Sequence, residues 1–526
     1  MNCVSIIHVS KFHSVRHTHP FRIEYGVAST DRAMATHRAK MQIMDKVMSS
    51  QLIASAGEKL LNARPKSIAL SGPGGFLGAR VLDAILDVHD YRRANGVDPG
   101  EALLLSASPG NLMSRLTRQY GAERLKGVRA SRVDYYYQHD VDSWQDQLGS
   151  LGMAGCNSVF MNLAGLAGPV SGKANAMMCV NYLAPVAAAR ACEKLGFGHF
   201  IQSSTQATKA ERAGQVPYSR WKAMADFSLA RLQQLPVTVC ALGLLYDKDQ
   251  GIVGQRGDLL NMIDLTLLPL TPIMGDGSAP LQPLEVMDAA NRLAYLGLSE
   301  VGDLPIQNLR GQEADAIWSR ESWSRLISQN QRQFTLRMYD AVGPETYSML
   351  ELNKKFAALN RRKLRPVHVD YRNFERVLNV ASLGNLNRQF VSLLRSEQDA
   401  KDPVVGNPAN FEKLLGPDAK LCALGDLNYV THRRRFPYAA TFAWAMHNYG
   451  VIWPGILLGT EIAVTYLFGQ KYSQEDYWKY TRMSFKLAFF TAIIGGGAYF
   501  GGESAIHLLD ILGASPPPSP PISSAG

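Results

Sequence analysis

The segment Lys66-Ser-Ile-Ala-Leu-Ser71-Gly72-Pro-Gly-Gly75-Phe-Leu-Gly78-Ala79-Arg-Val-Leu-Asp-Ala-Ile-Leu-Asp87 runs from a short apolar stretch, through glycines three apart, into a helical pattern. Lys66–Ser71 has the length and apolar content of a buried strand, and Ala79–Asp87 repeats its apolar residues at helical spacing. Each glycine answers a separate need. Gly72 permits the tight turn out of the strand, Gly75 lets a pyrophosphate approach the backbone, and Gly78 lets the helix pack closely on the strand. Free N–H groups and the dipole at the helix start favour an anion there. The glycines alone also fit a strand-to-helix turn that binds nothing, so the order of elements downstream decides between the two.

Working outward, a second strand is expected over Ala102–Ser106. A carboxylate at its end would bond the ribose 2′-hydroxyl of NAD. Ser106, Ala107 and Ser108 stand there instead, with Arg115 a little later, which favours the 2′-phosphate of NADP(H) over NAD(H). A third strand is expected over Val133–Gln138, running into His139-Asp140-Val141. A fourth, Ser158–Leu163, runs into Asn162-Leu-Ala164-Gly165, and a fifth, His199–Gln202, ends in Ser203-Ser204-Thr205. Helical patterns fall between them, notably Asn175–Leu195. This alternation implies an α/β fold, a doubly wound parallel sheet of Rossmann type with its site at the carboxyl ends of the strands.

After the fifth strand, Pro217-Tyr218-Ser-Arg-Trp-Lys222 opens a further helix. Residues four apart stand one above the other on a helical face. An ammonium beside a phenol lowers the phenol's pKa and prepares it to transfer a proton. Lys222 also has donors for a nicotinamide ribose, and the Thr205 hydroxyl is placed to polarise a substrate carbonyl. Such pairs occur on ordinary helix surfaces too; the position directly after the fifth strand favours the chemical reading.

The glycine pattern, Asp140-Val141, Asn162-Leu-Ala-Gly165, Ser203-Ser204-Thr205 and Tyr218-x-x-x-Lys222, in that order, resemble the short-chain dehydrogenase/reductase superfamily over about residues 66–300. The resemblance implies that Gly72, Gly75, Phe76, Leu77 and Gly78 contact the cofactor, that Asp140 and Val141 meet adenine, and that Asn162, Ala164 and Gly165 lie on the ribose side. It implies Thr205, Tyr218 and Lys222 as catalytic positions, the last two also reaching the cofactor. It matches Asn181 to the helix asparagine of extended members. Phe76-Leu77, the run His199-Phe-Ile-Gln-Ser-Ser204, and Pro272-Ile-Met-Gly275 followed by Gln282–Asp288 are similar to the extended and atypical branches, and in layout to the NAD(P)-binding accessory-subunit family of mitochondrial respiratory complex I. One departure counts against a sugar-nucleotide enzyme. Active extended members carry Arg-Pro after the sixth strand, where this chain has Ala241-Leu242-Gly-Leu-Leu-Tyr246.

The remainder of the chain sets further expectations. Met1–Lys40 holds Lys11, Arg16, Arg22, Arg32, Arg38 and Lys40 against Glu24 and Asp31, the composition of an organellar transit segment or a disordered leader, and residues 1–62 are assigned to it. Residues 63–300 form the dinucleotide domain, and 301–430 a small substrate-type lobe with a strand over Phe334–Val342 and a helix over Tyr347–Ala358. Residues 431–513 form an apolar tail and 514–526 a Pro/Ser-rich end. Gly450–Gly469 reaches the length of a membrane span but carries Glu461 and Pro454, and Leu487–Gly502 is uncharged but short. A membrane hairpin and a helix pair docking on a partner protein both fit.

Net charge is +10, but the basic residues are scattered apart from Arg433–Arg435, so no nucleic-acid partner is expected. The six cysteines lie far apart with no CxxC pair, so the usual zinc spacings are absent and no metal site is expected, and so few cysteines in so long a chain make no disulfide framework. Three functions are consistent with these features. One is an NADP(H)-holding accessory subunit of a mitochondrial inner-membrane complex, fixed to neighbouring subunits or to the bilayer by its tail. Another is an NAD(P)-dependent oxidoreductase or epimerase using Tyr218 and Lys222, and the third is an NmrA-like redox sensor.

Overall fold

Seven parallel strands form the spine of the chain in the computed structural model, which describes residues 50–166, 175–209, 217–232, 234–248, 266, 271–303, 336–359, 363–370 and 405–426. They are β1 (Ser67–Ser71), β2 (Glu101–Ser106), β3 (Val128–Arg132), β4 (Ser158–Asn162), β5 (His199–Thr205), β6 (Val237–Leu242) and β7 (Leu336–Ala341). Their order in the sheet is β7-β6-β5-β4-β1-β2-β3. The direction of winding reverses between β1 and β4, and that reversal opens a crevice at the carboxyl ends of the strands. The fold is a Rossmann-type doubly wound sheet.

The central strands are buried on both faces, which is why they read as continuous apolar runs. On one face Leu105, Phe160, Phe200, Val237 and Val239 pack against α4 (Val141–Ser150), α5 (Ala184–Lys194) and α6 (Pro217–Leu229). Phe160 stacks on Phe200 at 5.1 Å between ring centroids, and Trp144 meets Phe160 edge-on at 5.8 Å. On the other face lie α1 (Gln51–Asn62), α2 (Phe76–Ala94) and α7 (Val286–Leu298). Gly297 on α7 lets that helix settle onto the sheet, since a β-carbon there would stand 2.9 Å from the Met161 sulfur.

Three elements differ from the sequence expectation. Residues 51–62 belong to the fold and not to a leader: Leu52, Ile53, Ala56, Gly57 and Leu60 form one buried helical stripe. The third strand is Val128–Arg132, not Val133–Gln138. An edge strand can alternate polar residues, whereas Tyr135 turns inward to lie 6.2 Å from Trp144. The strand expected over Phe334–Val342 joins the main sheet beside β6 and is not part of a second lobe.

Short strand pairs extend the carboxyl side. Leu244–Tyr246 pairs with Pro283–Glu285, Thr271–Met274 with Pro366–Val369, and Pro280–Leu281 with Tyr347–Ser348. The segment 405–426 straps back over α7. There Arg292, fully buried, bonds the carbonyls of Phe411 at 2.9 Å, Glu412 at 3.3 Å and Ala419 at 2.5 Å, and Asp288 at 3.2 Å. The transit expectation for Met1–Lys40 and the apolar runs Gly450–Gly469 and Leu487–Gly502 lie outside the described residues, among which no helix is long and apolar enough to cross a membrane.

Candidate functional site

The crevice is built first of all from backbone. Gly72 sits at φ +69°, and a β-carbon there would lie 2.9 Å from Ala164 N. A β-carbon on Gly78 would stand 2.8 Å from the Gly72 carbonyl carbon, so the first turn of α2 packs directly on the end of β1. Gly75 caps α2 with extended backbone and has no side chain to satisfy the N–H groups behind it. No acidic residue enters the first turn of this 19-residue helix. The helix start therefore presents free donors and a positive dipole end to the crevice. Gly74 and Gly75 are exposed, Leu77 is buried, and half-buried Phe76 carries the Arg80 guanidinium 5.1 Å over its ring.

Polar side chains brace the facing wall. Ser71 Oγ donates to Asn162 Oδ1 at 2.6 Å and accepts from Leu163 N and Ala164 N, each at 3.1 Å. Asn162 Nδ2 donates to Gln202 Oε1 at 2.8 Å. Asn162, expected on the ribose side, thus ties β1, β4 and β5 together, while Ser71 holds Leu163 and Ala164 beside Gly72. Asn181 lies in a π-helical turn, Cys179–Leu183, a distortion that often marks a functional position. Its amide clasps Leu166, accepting from the N–H and donating to the carbonyl, both at 2.9 Å.

Lys222 closes the inner end. A β-carbon on Gly165 would lie 3.2 Å from Lys222 Nζ and 3.4 Å from Asn181 Oδ1, so these three expected residues meet. Lys222 Nζ donates to Ser203 O at 2.9 Å, which leaves it further hydrogens for the crevice. Burial pushes its ammonium pKa down, and Asp226 one turn on pulls it partly back. Tyr218, half-buried, stands one turn before Lys222 in α6. Thr205 ends β5, its hydroxyl accepting from Ala207 N at 3.3 Å.

At the other end Ser106 Oγ accepts from Ser108 N at 3.2 Å and shapes the exit of β2. Arg115, on α3 (Pro109–Tyr120), brings Nη2 to 3.4 Å from where a β-carbon on Gly74 would stand, over the open side of the glycine turn. Asp140 caps α4, accepting from Ser143 N at 2.8 Å, and Val141 packs on the core beside it. The sequence reading assigns no role of their own to Ser71, Gln202, Ser203 and Asp226. Only Asp226 left a signal, an acid four residues after Lys222 on the same helical face. Among the described residues no cluster of side chains has the makings of a metal site.

No family model and no curated protein matches the chain. Solved structures resemble it in part. A double mutant of DesIV, a dTDP-glucose 4,6-dehydratase from Streptomyces venezuelae with NAD and DAU bound, is 14% identical at TM-score 0.44, covering 72% of this chain and 98% of that one. UDP-glucuronic acid 4-epimerase from Bacillus cereus, in complex with UDP-glucuronic acid and NAD, is 15% identical at TM-score 0.38, over 58% and 86%. Pal from Bacillus thuringiensis is 17% identical at TM-score 0.39, over 58% and 85%.

Proposed function

We propose that the crevice holds a nicotinamide dinucleotide and that the chain is an oxidoreductase or epimerase of short-chain dehydrogenase/reductase type, extended branch. The observation that carries this reading is the meeting of Gly165, Asn181 and buried Lys222 at the inner end of a glycine turn that only hydrogen at Gly72 and Gly78 allows. The residues fit the group. Gly75–Gly78 would take the pyrophosphate, Asp140 and Val141 the adenine side, and Ala164, Gly165 and Lys222 the nicotinamide ribose. Ser106 and Arg115, with no carboxylate at the end of β2, favour NADP(H) over NAD(H).

Bound nicotinamide supplies hydride chemistry. The chain's own part is proton handling and orientation. Tyr218 passes a proton to or from a substrate oxygen, the Lys222 charge favours the phenolate, and the Thr205 hydroxyl orients that oxygen. Calorimetric titration with NADPH and NADH tests the reading: micromolar binding, weakened at least tenfold in Lys222→Met, is expected. No binding of either at millimolar concentration would sink it. With a substrate in hand, Tyr218→Phe should lose on the order of 10²–10⁴ in turnover while keeping dinucleotide affinity.

A second reading has one observation in its favour. Ala241 and Leu242, at the end of β6, stand where active extended members carry Arg-Pro. That favours a nucleotide held without turnover, as in an accessory subunit of a mitochondrial membrane complex. Purification in mild detergent selects between the two. A retained, unreactive dinucleotide with co-purifying membrane subunits supports the second; a chain recovered alone with exchangeable cofactor supports the first.

A further inference from the structure

Lys222 and Asp226 are 2% and 1% exposed, and they are held by neighbouring residues of one strand. Lys222 Nζ donates to the carbonyl of Ser203, and the hydroxyl of Ser204 donates to Asp226 Oδ2. Asp226 Oδ1 is buried with no hydrogen-bond partner. A carboxylate left this incompletely bonded in the interior needs a compensating charge nearby, and Lys222, one helical turn before it on α6 though not in direct ion-pair contact, is the cation that acts on it.

We propose that Asp226 is a positioning residue for Lys222, its carboxylate, anchored by Ser204, keeping charged the lysine that Ser203 O holds at the Gly165 edge of the crevice. What Lys222 serves rests on the dinucleotide reading; the pairing with Asp226 does not. Burial alone drives both groups towards neutrality, raising Asp226 and lowering Lys222, and each charge opposes that drift in the other. The charged groups on elements packed against α6 lie elsewhere. Lys209, in the 3-10 turn after β5, is ion-paired with Asp340, and Arg190, Glu193 and Lys194 belong to α5. The π-helical turn adds the Cys179 thiol and the Tyr182 phenol. The groups that act on the Asp226 carboxyl are Ser204 and Lys222.

The sign follows. Removing the Asp226 charge lets Lys222 lose its proton at lower pH. Removing the Ser204 hydroxyl makes the carboxylate harder to keep and moves Lys222 the same way by less. The full-length protein carrying ¹³Cε-lysine, with the Lys222 resonance assigned by its loss in Lys222→Met, reads the midpoint directly by NMR titration. Asp226→Asn is expected to lower the proton affinity of Lys222 about tenfold or more, Ser204→Ala less, and Asp226→Glu to restore most of it. The alkaline limb of NADPH binding, followed by fluorescence, should move down in pH by the same amount.

An unchanged or raised Lys222 midpoint in folded Asp226→Asn overturns the proposal. Should Asp226→Asn fail to fold, Ser204→Ala carries the test, and an unmoved midpoint there overturns it equally. A wild-type chain that binds no dinucleotide, but whose Lys222 midpoint falls in Asp226→Asn, retains the positioning pair and discards the dinucleotide reading.

Discussion

Gly72 and Gly78 approach each other so closely across the glycine turn that a β-carbon on Gly78 would stand 2.8 Å from the Gly72 carbonyl carbon and closer still to its oxygen. The neighbour is backbone, so nothing can swing aside. Gly78→Ala should destabilise the chain by about 1–3 kcal/mol and weaken dinucleotide binding at least tenfold, since the first turn of α2 must shift. Gly110, on α3, has open space around it, and Gly110→Ala should leave binding intact and stability unchanged or raised by about 0.5–1 kcal/mol. Urea denaturation and NADPH titration of both variants distinguish a steric effect from a general one.

Arg115, on α3, hangs over the exposed Gly74 in the glycine turn that leaves β1. Charge-assisted bonds to a phosphate contribute about 1.5–3 kcal/mol. Arg115→Ala is therefore expected to weaken NADPH binding at least tenfold and to change NADH binding about twofold or less. Equal losses for both cofactors would remove Arg115 from the 2′-phosphate and take the NADP(H) preference with it.

Arg292 bonds three carbonyls of the strap 405–426, those of Phe411, Glu412 and Ala419, and is itself paired with Asp288 within α7. Arg292→Met leaves Asp288 buried without its cation and should cost about 3–5 kcal/mol. Limited proteolysis should then cut first within 405–426, and a first cut elsewhere would show that the strap is held by its apolar contacts instead.

Acid sensitivity has two buried sources. Burial lowers His89 and His199 to about 3 from the ordinary 6.5, so both stay neutral in the fold while the unfolded chain takes up protons below 6.5. Stability is untouched above pH 6.5 and withdrawn as the pH falls towards 3, by about 2 kcal/mol for each at pH 5. Glu285 acts in the opposite sense. Burial raises it from 4.5 to about 7, so its stabilisation is present below pH 4.5 and lost as the pH rises through 7. Asp226, which burial also raises, acts in the same sense as Glu285, so two carboxyls oppose two histidines and stability should change little between pH 5 and 6.5.

The histidines themselves differ. Neither ring nitrogen of His89 has a hydrogen-bond partner, whereas His199 bonds Thr238 at 2.8 Å and the Leu296 carbonyl at 3.2 Å. His89→Leu should be neutral or stabilising at pH 7.5 and more clearly stabilising at pH 5. His199→Leu should destabilise at pH 7.5. Urea midpoints at the two pH values check both signs.

Legibility in the sequence follows burial. β1, β2, β4 and β5 are apolar runs because they are covered on both faces, and the sequence places each to within a few residues. The edge strand β3 has a polar pattern and was displaced by the more β-prone tyrosines after it. β7 needed knowledge that a strand beginning at Leu336 returns to pair with Val237, a choice made by tertiary contact and not by local pattern. The glycine turn and the Tyr218–Lys222 pair were visible because their chemistry demands fixed spacing. The partners of Lys222 were not, because Ser203 offers a backbone carbonyl, which any residue has. Asn181 was noticed for its type, but its grip on Leu166 depends on a π-helical turn that sequence periodicity does not announce.

The carbonyls that surround Arg292 come from residues 119 to 127 positions further along the chain. A ribosome adding about 5–20 residues per second reaches them roughly 6–25 s after Arg292 is made. Until then the nascent chain has a guanidinium with nowhere dry to go, and α7 cannot seal onto the sheet. The dinucleotide-type domain is thus local in its glycine turn but finishes only when its last strap has left the exit tunnel, so that a message truncated before residue 405 yields a chain without a completed interior.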